Sequence, residues 1–338
     1  MKNIVVSDEY KEIDLKPSQL LRRYIDLTRR DVRERLVKKK QLKEYACPAC
    51  RGRNVASHFE KFGLHYKECD KCFTLYISPR PDDRLLNDYY RSAGAAVFWR
   101  EQLSQRTDQK RREKIVKPRF QWILESTDEY NPSASHFVDF NTNQYGYVEE
   151  ILKTDRFKQK TLIDPFVKPE DMPKNSRLNV IHSPWWELHE KENADVVSLF
   201  EVSDRTSDID RLFKTVHRML KPRGLCFLTA ILVSGFDLQV LWDKAENLYP
   251  PDRLNVFSIE GLRLLFDRHG FECLELSTPG VLDVEIVTKA VAGDPGISMP
   301  RFIKYLLQNK NTEAKKAFQG FLQENLLSSY GRIVIRKK

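Results

Sequence analysis

Four cysteines form two closely spaced pairs near the start of the chain. Cys47 and Cys50 make the first Cys-x-x-Cys pair, and Cys69 and Cys72 make the second after eighteen intervening residues. Each pair turns the chain back on itself, so four thiolates can surround one Zn²⁺ as a tetrahedron. Disulfides and free thiols are the alternatives. A cytoplasmic location disfavours disulfides, and the paired spacing disfavours free thiols. The spacing predicts a zinc ribbon whose metal is structural, because four protein ligands leave no open coordination position.

Two further cysteines lie inside apolar, strand-like runs. Cys226 is part of GLCFLTAIL and Cys273 is part of ECLELS. Buried thiols in such surroundings are usually inert. We expect core packing rather than nucleophilic chemistry from both.

The part of the chain after residue 136 must position the other candidate functional residues. Short apolar runs alternate there with helical patterns, which is typical of βαβ units and a parallel sheet. Amphipathic helices are predicted over 208–220 and 258–270, with Gly270 ending the second. The fold class predicted is a doubly wound α/β domain. The predicted strands are 136–140, 160–164, 178–182, 195–200, 224–232 and 272–277.

Two strand ends are candidates for ligand binding. In an open parallel sheet, ligands bind beyond the carboxyl ends of the strands, where the strand order reverses. The segment 138–147, at the end of the first predicted strand, contains Asp139 and leads into a helix near 148–152. The second strand ends in Asp164, a carboxylate that could accept hydrogen bonds from a ribose diol.

The length and composition of the chain limit the class of protein that it can be. The 338 residues are 41% hydrophobic and 31% charged, which suits one large globular domain and a smaller one. No run is apolar enough to span a membrane, and the polar N-terminus is unlike a secretory signal. The sequence therefore predicts a soluble, cytoplasmic protein.

The net charge of +9 is concentrated in two helical segments, 20–43 and 99–119. Solvated helix faces and contact with a polyanion are both compatible with this pattern. Interleaved acids such as Asp26, Glu34 and Asp108 argue against a nucleic-acid surface. The domain boundaries predicted are a basic helical segment at 1–44, a zinc ribbon at 45–80, a helical linker at 81–130 and the α/β domain at 131–338.

Several segments, in order, resemble class I S-adenosylmethionine-dependent methyltransferases that carry an N-terminal zinc ribbon. The resemblance covers roughly residues 45–338 and implies a seven-stranded sheet whose last strand, 331–338, is antiparallel. It also implies a helical insertion at about 282–327 and a small-molecule acceptor, most often a sugar or a nucleotide-linked sugar. The matching segments are CPAC, ECDKCFTLYISPRP, LIDP, DVVSLFEVSD, VHRMLKPRGLCFLTA and PPDRLNVFSIEGLRLLFDRHGFE.

The resemblance also implies roles for individual residues. Glu201 and Asp204 follow the fourth strand and are the catalytic candidates, as a base or a substrate contact. The residues implied to bind S-adenosylmethionine are Asp139, Asn141, Asn143, Gly146, Asp164, His182, Ser183 and Phe200.

Three departures from the family pattern leave other functions open. Asn141, Asn143 and Tyr145 replace the glycines of the loop that approaches the cofactor, although Asn tolerates left-handed backbone geometry. Asp204-Arg205 replaces Glu-His, and Arg253 occupies a position where relatives often have His. A catalytically inactive partner or scaffold protein is the first alternative. An RNA methyltransferase that uses the ribbon and the basic helices is the second.

Overall fold

The computed structural model describes residues 15, 17–38, 41–140, 147–166, 178–189 and 191–338. Asn141, Asn143, Tyr145 and Gly146 lie outside the described residues. None of the described helices is long and apolar enough to cross a membrane. The strands are β1 (Val55–Lys61), β2 (Leu64–Cys69), β3 (Leu75–Ile77), β4 (His136–Phe140), β5 (Gln159–Ile163), β6 (Leu178–Ile181), β7 (Ala194–Phe200), β8 (Leu220–Ile231), β9 (Asn255–Val256), β10 (Phe271–Ser277) and β11 (Tyr330–Lys337).

The larger sheet confirms the predicted α/β fold. Within the described chain it contains seven strands in the order β10-β11-β8-β7-β4-β5-β6. The pairs from β6 to β8 are parallel, whereas β11 runs antiparallel to both β8 and β10. All six predicted internal strands form, with ends shifted by a few residues. The final antiparallel strand is the one that the resemblance implied.

Helices cover both faces of this sheet because side chains alternate along each strand. Val138 and Phe140 pack on the face that contacts α7 and α9, whereas Phe137 packs on the opposite face, under α5. The helices are α1 (Ser18–Asp31), α2 (Asp83–Ser92), α3 (Gly94–Phe98), α4 (Gln105–Arg111), α5 (Lys117–Tyr130), α6 (Tyr147–Lys153), α7 (Ile209–Met219), α8 (Phe236–Leu241), α9 (Ile259–Arg268), α10 (Asp283–Gly293), α11 (Arg301–Asn309) and α12 (Thr312–Glu324).

The two helices that the sequence predicted most clearly have caps at their N-termini. The Asp208 carboxylate accepts a hydrogen bond from the Arg211 amide at the start of α7, and Ser258 caps α9 in the same way through the Gly261 amide. Gly270 follows α9 with φ +73°, the left-handed geometry that glycine adopts without strain. The capped ends fix where the chain turns back to the sheet.

A second, smaller sheet joins the cysteine region to the α/β domain. Its order is β1-β2-β3-β9, and every neighbouring pair is antiparallel. Strand β9 comes from the loop before α9, so the small sheet is completed by the larger domain. The buried Arg80 strengthens this junction, because its Nη1 donates to Asn255 Oδ1 at 2.5 Å.

Helical chain leads from the small sheet to the large one. Beyond α2, the segments α3, α4 and α5 follow one another directly, joined by the π-helical turns Trp99–Ser104 and Arg112–Val116. Helices α10 to α12 lie between β10 and β11 in the chain. Both groups of helices bring side chains to the carboxyl ends of the large sheet, where the candidate site lies.

Candidate functional site

The strand order reverses at the centre of the large sheet. From β4 the chain adds β5 and β6 on one side, and it then returns to add β7 and β8 on the other. Because all these strands are parallel, their carboxyl ends lie at one edge, with a crevice between β4 and β7. Two of the cavities that the described residues form lie at this edge.

The first cavity has aromatic walls, and we call it the aromatic cavity. Its aromatic residues lie at or beyond the carboxyl ends of β4, β5 and β6 or come from α2. Their flat rings suit stacking against a planar heterocycle. They are Tyr90, Phe140, Phe166, Trp185 and Trp186.

Polar groups enter the aromatic cavity from α2 and from the turn after β7. They are Asp83, Asn87, Arg205 and Thr206. Burial raises the pKa of Asp83 to about 6, although its carboxylate accepts hydrogen bonds from the amides of Ser207 and Asp208. The pattern of strands gave no signal for Asp83 or Asn87, because α2 precedes the sheet by some fifty residues of chain.

Asp139 and Asp164, the two predicted strand-end acids, border the crevice but are not among the described residues that line the aromatic cavity. Asp139 is buried, and the Ser198 hydroxyl donates to its carboxylate. Burial raises the pKa of Asp139 to about 7, against the opposing effect of that hydrogen bond. One Asp164 oxygen accepts a hydrogen bond from the Phe166 amide at 2.8 Å, which fixes the chain as it enters the cavity wall.

The other implied cofactor residues occupy different environments. His182 is exposed and Ser183 is half-buried just beyond β6, directly before the Pro184–Trp186 part of the aromatic wall. Phe200 is buried in the core under α5, where the Arg119 guanidinium lies 5.2 Å from its ring centroid. Binding of the cofactor by Phe200, His182 and Ser183 stays a prediction.

Glu201 lies at the centre of a group of guanidinium groups. Arg119 Nη2 is 3.1 Å from Oε1, and the Nη2 atoms of Arg253 and Arg205 are 3.5 and 3.8 Å from Oε2. Its backbone is left-handed, with φ 59°, which is uncommon for a residue with a side chain. Burial opposes ionisation, but Arg253, Arg119, Arg205 and Arg111 together hold the pKa of Glu201 well below its usual range.

Asp204, the second catalytic candidate, is fully buried and joins two elements of the fold. Its Oδ2 accepts from the Ile231 amide at 3.2 Å and lies 3.4 Å from Arg253 Nη1. Burial raises the pKa of Asp204 to about 7, against the lowering effect of Arg253. It does not line either cavity among the described residues.

Arg205 connects Glu201 to a buried cluster that local sequence patterns do not reveal. Its Nε lies 3.5 Å from the carboxylate of Asp252. That carboxylate also accepts hydrogen bonds from the hydroxyls of Tyr24, at 2.5 Å, and Tyr90, at 3.0 Å. Helix α1, α2 and the loop before β9 are thereby held together beside the cavities.

The second cavity lies beyond β7, β8 and β11, and we call it the basic cavity. About 1220 Å³ of non-protein space, part of it open to solvent, lies within its walls. Among the described residues that line it, six basic side chains face two carboxylates, Glu201 and Asp283. The basic residues are Arg111, Lys114, Arg119, Arg205, Arg253 and Arg332.

The four cysteine thiols of the zinc prediction come together in the structure. Their Sγ atoms all lie within 4.8 Å of one another, and Cys47, Cys69 and Cys72 are buried. Both cysteine turns have the same backbone geometry. Arg51 and Phe73, each directly after a pair, have φ values of 67° and 60°, and their amides donate to the carbonyls of Cys47 and Cys69.

The surroundings of the thiols fit a tetrahedral ion. A Cβ added at Gly52 would lie 3.2 Å from Cys50 Sγ and 3.3 Å from Cys69 Sγ, so a side chain there would crowd the site. The Gly52 amide donates to Cys50 Sγ at 3.3 Å, which suits a thiolate. Four converging sulfurs with amide support match the ligands that Zn²⁺ prefers.

The remaining two cysteines behave as their strand positions predict. Cys226 is buried in β8, and burial raises the pKa of its thiol far above the ordinary range. Cys273 is half-buried, and burial raises its pKa to about 11. Neither thiol is activated for nucleophilic attack.

The strand order and the crevice define the α/β methyltransferase fold, as the resemblance implied. Residues 110–276, just under half of the chain, match a family model described as a methyltransferase domain. This part of the chain is therefore similar to a methyltransferase domain. No curated protein matches the chain in sequence.

Solved methyltransferase structures resemble the chain only distantly. The 1,6-didemethyltoxoflavin-N1-methyltransferase of Burkholderia thailandensis, with bound 1,6-didemethyltoxoflavin and S-adenosylhomocysteine, is 12% identical; the match covers 83% of this chain and 98% of that one, with a TM-score of 0.46. A putative sarcosine dimethylglycine methyltransferase from Galdieria sulphuraria is 14% identical, with 65% and 86% covered and a TM-score of 0.42. These likenesses carry no argument about ligands.

Proposed function

We propose that this protein binds S-adenosylmethionine in the aromatic cavity and transfers its methyl group to a small molecule held in the basic cavity. The observation that carries the proposal is the position of the aromatic cavity, at the carboxyl ends of β4 to β6 beside the reversal of strand order. Its flat aromatic walls fit the planar base of a nucleoside.

Different residues of this chain would bind different parts of the cofactor. Phe166, Trp185 and Trp186 would hold the adenine by stacking. Asp164 would orient the ribose, and Asp139 with the loop 141–146 would contact the methionine part. When bound, the cofactor would supply a methyl group on a positively charged sulfur. That sulfur would leave as a neutral thioether once an acceptor atom attacks the methyl group in line, and the proton of the acceptor would pass to water.

Positioning, rather than proton abstraction, is the proposed contribution of the chain to that step. Glu201 is a poor general base at neutral pH because the surrounding guanidinium groups favour its ionised form. We therefore assign Glu201 a positioning role: it fixes Arg119, Arg205 and Arg253 at the junction of the cavities. Arg205 lines both cavities, so it would lie between cofactor and acceptor.

The acceptor class remains the one that the sequence suggested, a sugar or a nucleotide-linked sugar. The lining of the basic cavity supports it, since guanidinium groups can donate hydrogen bonds to the oxygens of such an acceptor. For the cysteine site, we propose one structural Zn²⁺ bound by Cys47, Cys50, Cys69 and Cys72. The convergence of four thiols around one point supports that assignment.

Calorimetric titration with S-adenosylmethionine and S-adenosylhomocysteine tests the proposal. We expect micromolar binding that weakens at least about tenfold when Phe166→Ala removes part of the cavity wall. Asp164→Ala should weaken binding as well. Phe302→Ala, at a ring that is 68% exposed and outside both cavities, is the matched control and should bind normally. Folded, zinc-loaded protein that binds neither ligand would refute methyl transfer and favour a non-catalytic partner protein.

A further inference from the structure

We infer that helix α11 carries an exposed face that binds the surface of a membrane containing anionic lipids. The contact is peripheral and needs no segment that crosses the bilayer. The inference goes beyond the proposed methyl transfer and does not depend on it.

The distribution of exposed apolar side chains is the first argument. Among the described residues seven large apolar side chains are exposed, and four of them fall within 302–327. Two of these four, Phe302 and Tyr305, lie one turn apart on α11 and are 68% and 54% exposed. Leu306 and Asn309 continue the same side of the helix, because residues three or four positions apart share one side. We call these four residues the α11 face.

The opposite side of α11 holds the helix on the domain. Leu307 is buried in the core that α10 and α12 also form, and Ile303 packs against that core. The helix is therefore amphipathic in an unusual sense, with apolar residues on both sides. Its orientation is fixed by the inner side, so Phe302 and Tyr305 are exposed although the helix is packed.

The charge of the surrounding segment indicates the chemistry of its partner. From residue 295 to residue 312 the chain contains three basic residues and no acid. Arg301, Lys304 and Lys310 are exposed, and none of them has an ion pair within the part of the chain that the structure describes. The ammonium group of Lys310 lies 5.4 Å from the ring centroid of Tyr305, so cation and ring share one surface.

The acids at the two ends of this segment do not cancel its charge. Asp294 is paired with Lys244, whose Nζ lies 3.0 Å from its Oδ2. Glu313 is exposed at the start of α12, but Lys315 and Lys316 follow it closely. The α11 face is thus surrounded by positive charge, in a chain whose net charge is itself +9.

Exposed rings beside several cations match the interface of an anionic bilayer. Aromatic side chains enter the boundary between headgroups and acyl chains, and each Lys or Arg near an anionic surface strengthens binding. A second copy of this chain is a poorer partner, because two α11 faces would bring like charges together. A stable protein interface also needs about 20 residues a side, whereas this face is one side of a single short helix.

The position of α11 connects this surface to the candidate site. Helix α10 packs against α11 and contributes Ile286 to the wall of the basic cavity. A protein bound to lipid through the α11 face would therefore hold one wall of that cavity close to the membrane surface.

Co-sedimentation of the full-length, zinc-loaded protein with vesicles tests the inference. Vesicles of phosphatidylcholine alone are compared with vesicles of equal parts phosphatidylcholine and phosphatidylglycerol. We expect binding to the anionic vesicles that weakens as salt is added, and little binding to the neutral ones. Phe302→Ser/Tyr305→Ser and Lys304→Gln/Lys310→Gln should each weaken binding at least about tenfold, because they remove the inserted rings and two surface cations.

Matched controls change the same properties elsewhere on the protein. Leu264→Ser removes an exposed apolar side chain of α9. Lys117→Gln/Lys214→Gln removes two exposed charges from α5 and α7, so it lowers the net charge by the same amount as the α11 variant. Both controls should bind anionic vesicles within about twofold of the wild type, and all variants should keep the wild-type melting temperature because every changed residue is exposed.

Several outcomes would overturn the inference. They are no binding to anionic vesicles, equally tight binding to neutral vesicles, and an equal loss of binding in Lys304→Gln/Lys310→Gln and Lys117→Gln/Lys214→Gln. Analytical ultracentrifugation without lipid provides the last one. A dimer that Phe302→Ser/Tyr305→Ser dissociates would show that the α11 face binds a second copy of the chain, whereas a monomer is the result we expect.

Discussion

Glu201 shows how neighbours change the chemistry of a residue. It follows β7 directly, at a position where the sequence suggested a base. In the folded protein three guanidinium groups lie within 3.8 Å of its carboxylate. A carboxylate with such partners stays ionised and holds its partners in place, whereas a general base needs a pKa nearer to the working pH.

The variant Glu201→Gln tests this role through stability. The substitution keeps the shape of the side chain but removes the charge that Arg119, Arg205 and Arg253 share. Because it removes one buried negative charge from beside three buried cations, we expect the free energy of unfolding to fall by about 3 kcal/mol in urea titrations at pH 7. Glu125→Gln, at an exposed position of α5, should change it by less than about 0.5 kcal/mol. A Glu201→Gln protein as stable as the wild type would rule out the positioning role.

At the level of elements, the small sheet depends on both parts of the chain. β3 contributes only Leu75 and Tyr76 to its pairing with β9, so that contact is short. The Ser258 hydroxyl reinforces it by donating to the carbonyl of Cys72 while also capping α9. The cysteine turns are therefore connected to the loop that carries Arg253 into the basic cavity.

Loss of the proposed zinc site should consequently destabilise more than the small sheet. We expect Cys69→Ser to abolish the binding of one Zn²⁺ per chain and to lower the melting temperature by at least about 5 °C, since structural zinc contributes directly to folding. Metal analysis and thermal unfolding measure these effects. Cys273→Ser, which replaces a half-buried thiol outside the site, should keep its zinc. Full zinc content in Cys69→Ser would show that the thiols do not bind the metal together.

The elements were predictable from sequence to a greater extent than the site. Alternation and caps are local, so the strands, α7 and α9 could be predicted within a few residues. The four cysteines could be grouped because metal spacing is also local. The cluster of Arg205, Asp252 and Tyr24 could not, because its members lie up to 228 residues apart and each resembles a surface residue in its own segment. Arg119 was hidden in the same way, within a basic segment compatible with a solvated helix face.

The molecule as a whole contains acids whose ionisation opposes folding. Asp139, Asp204 and Asp237 are almost fully buried in three different parts of the α/β domain. Burial is the largest cause in each case and raises each pKa to about 7. In the unfolded chain the same carboxyl groups titrate near pH 4. Between these values the folded protein binds protons that the unfolded chain does not.

Stability should therefore decrease as the pH rises through 7. Because the folded state binds more protons, the free energy of unfolding should be higher at pH 6.5 than at pH 8 by about 1 kcal/mol or more in urea titrations of the zinc-loaded protein. His217, whose pKa burial lowers, opposes this trend mainly below pH 6.5. Asp237→Asn removes one of the three acids and should reduce the difference between the two pH values. A wild type that is more stable at pH 8 would mean that these acids are ionised in the folded protein. An undiminished difference in Asp237→Asn would mean that Asp237 does not contribute to the pH dependence.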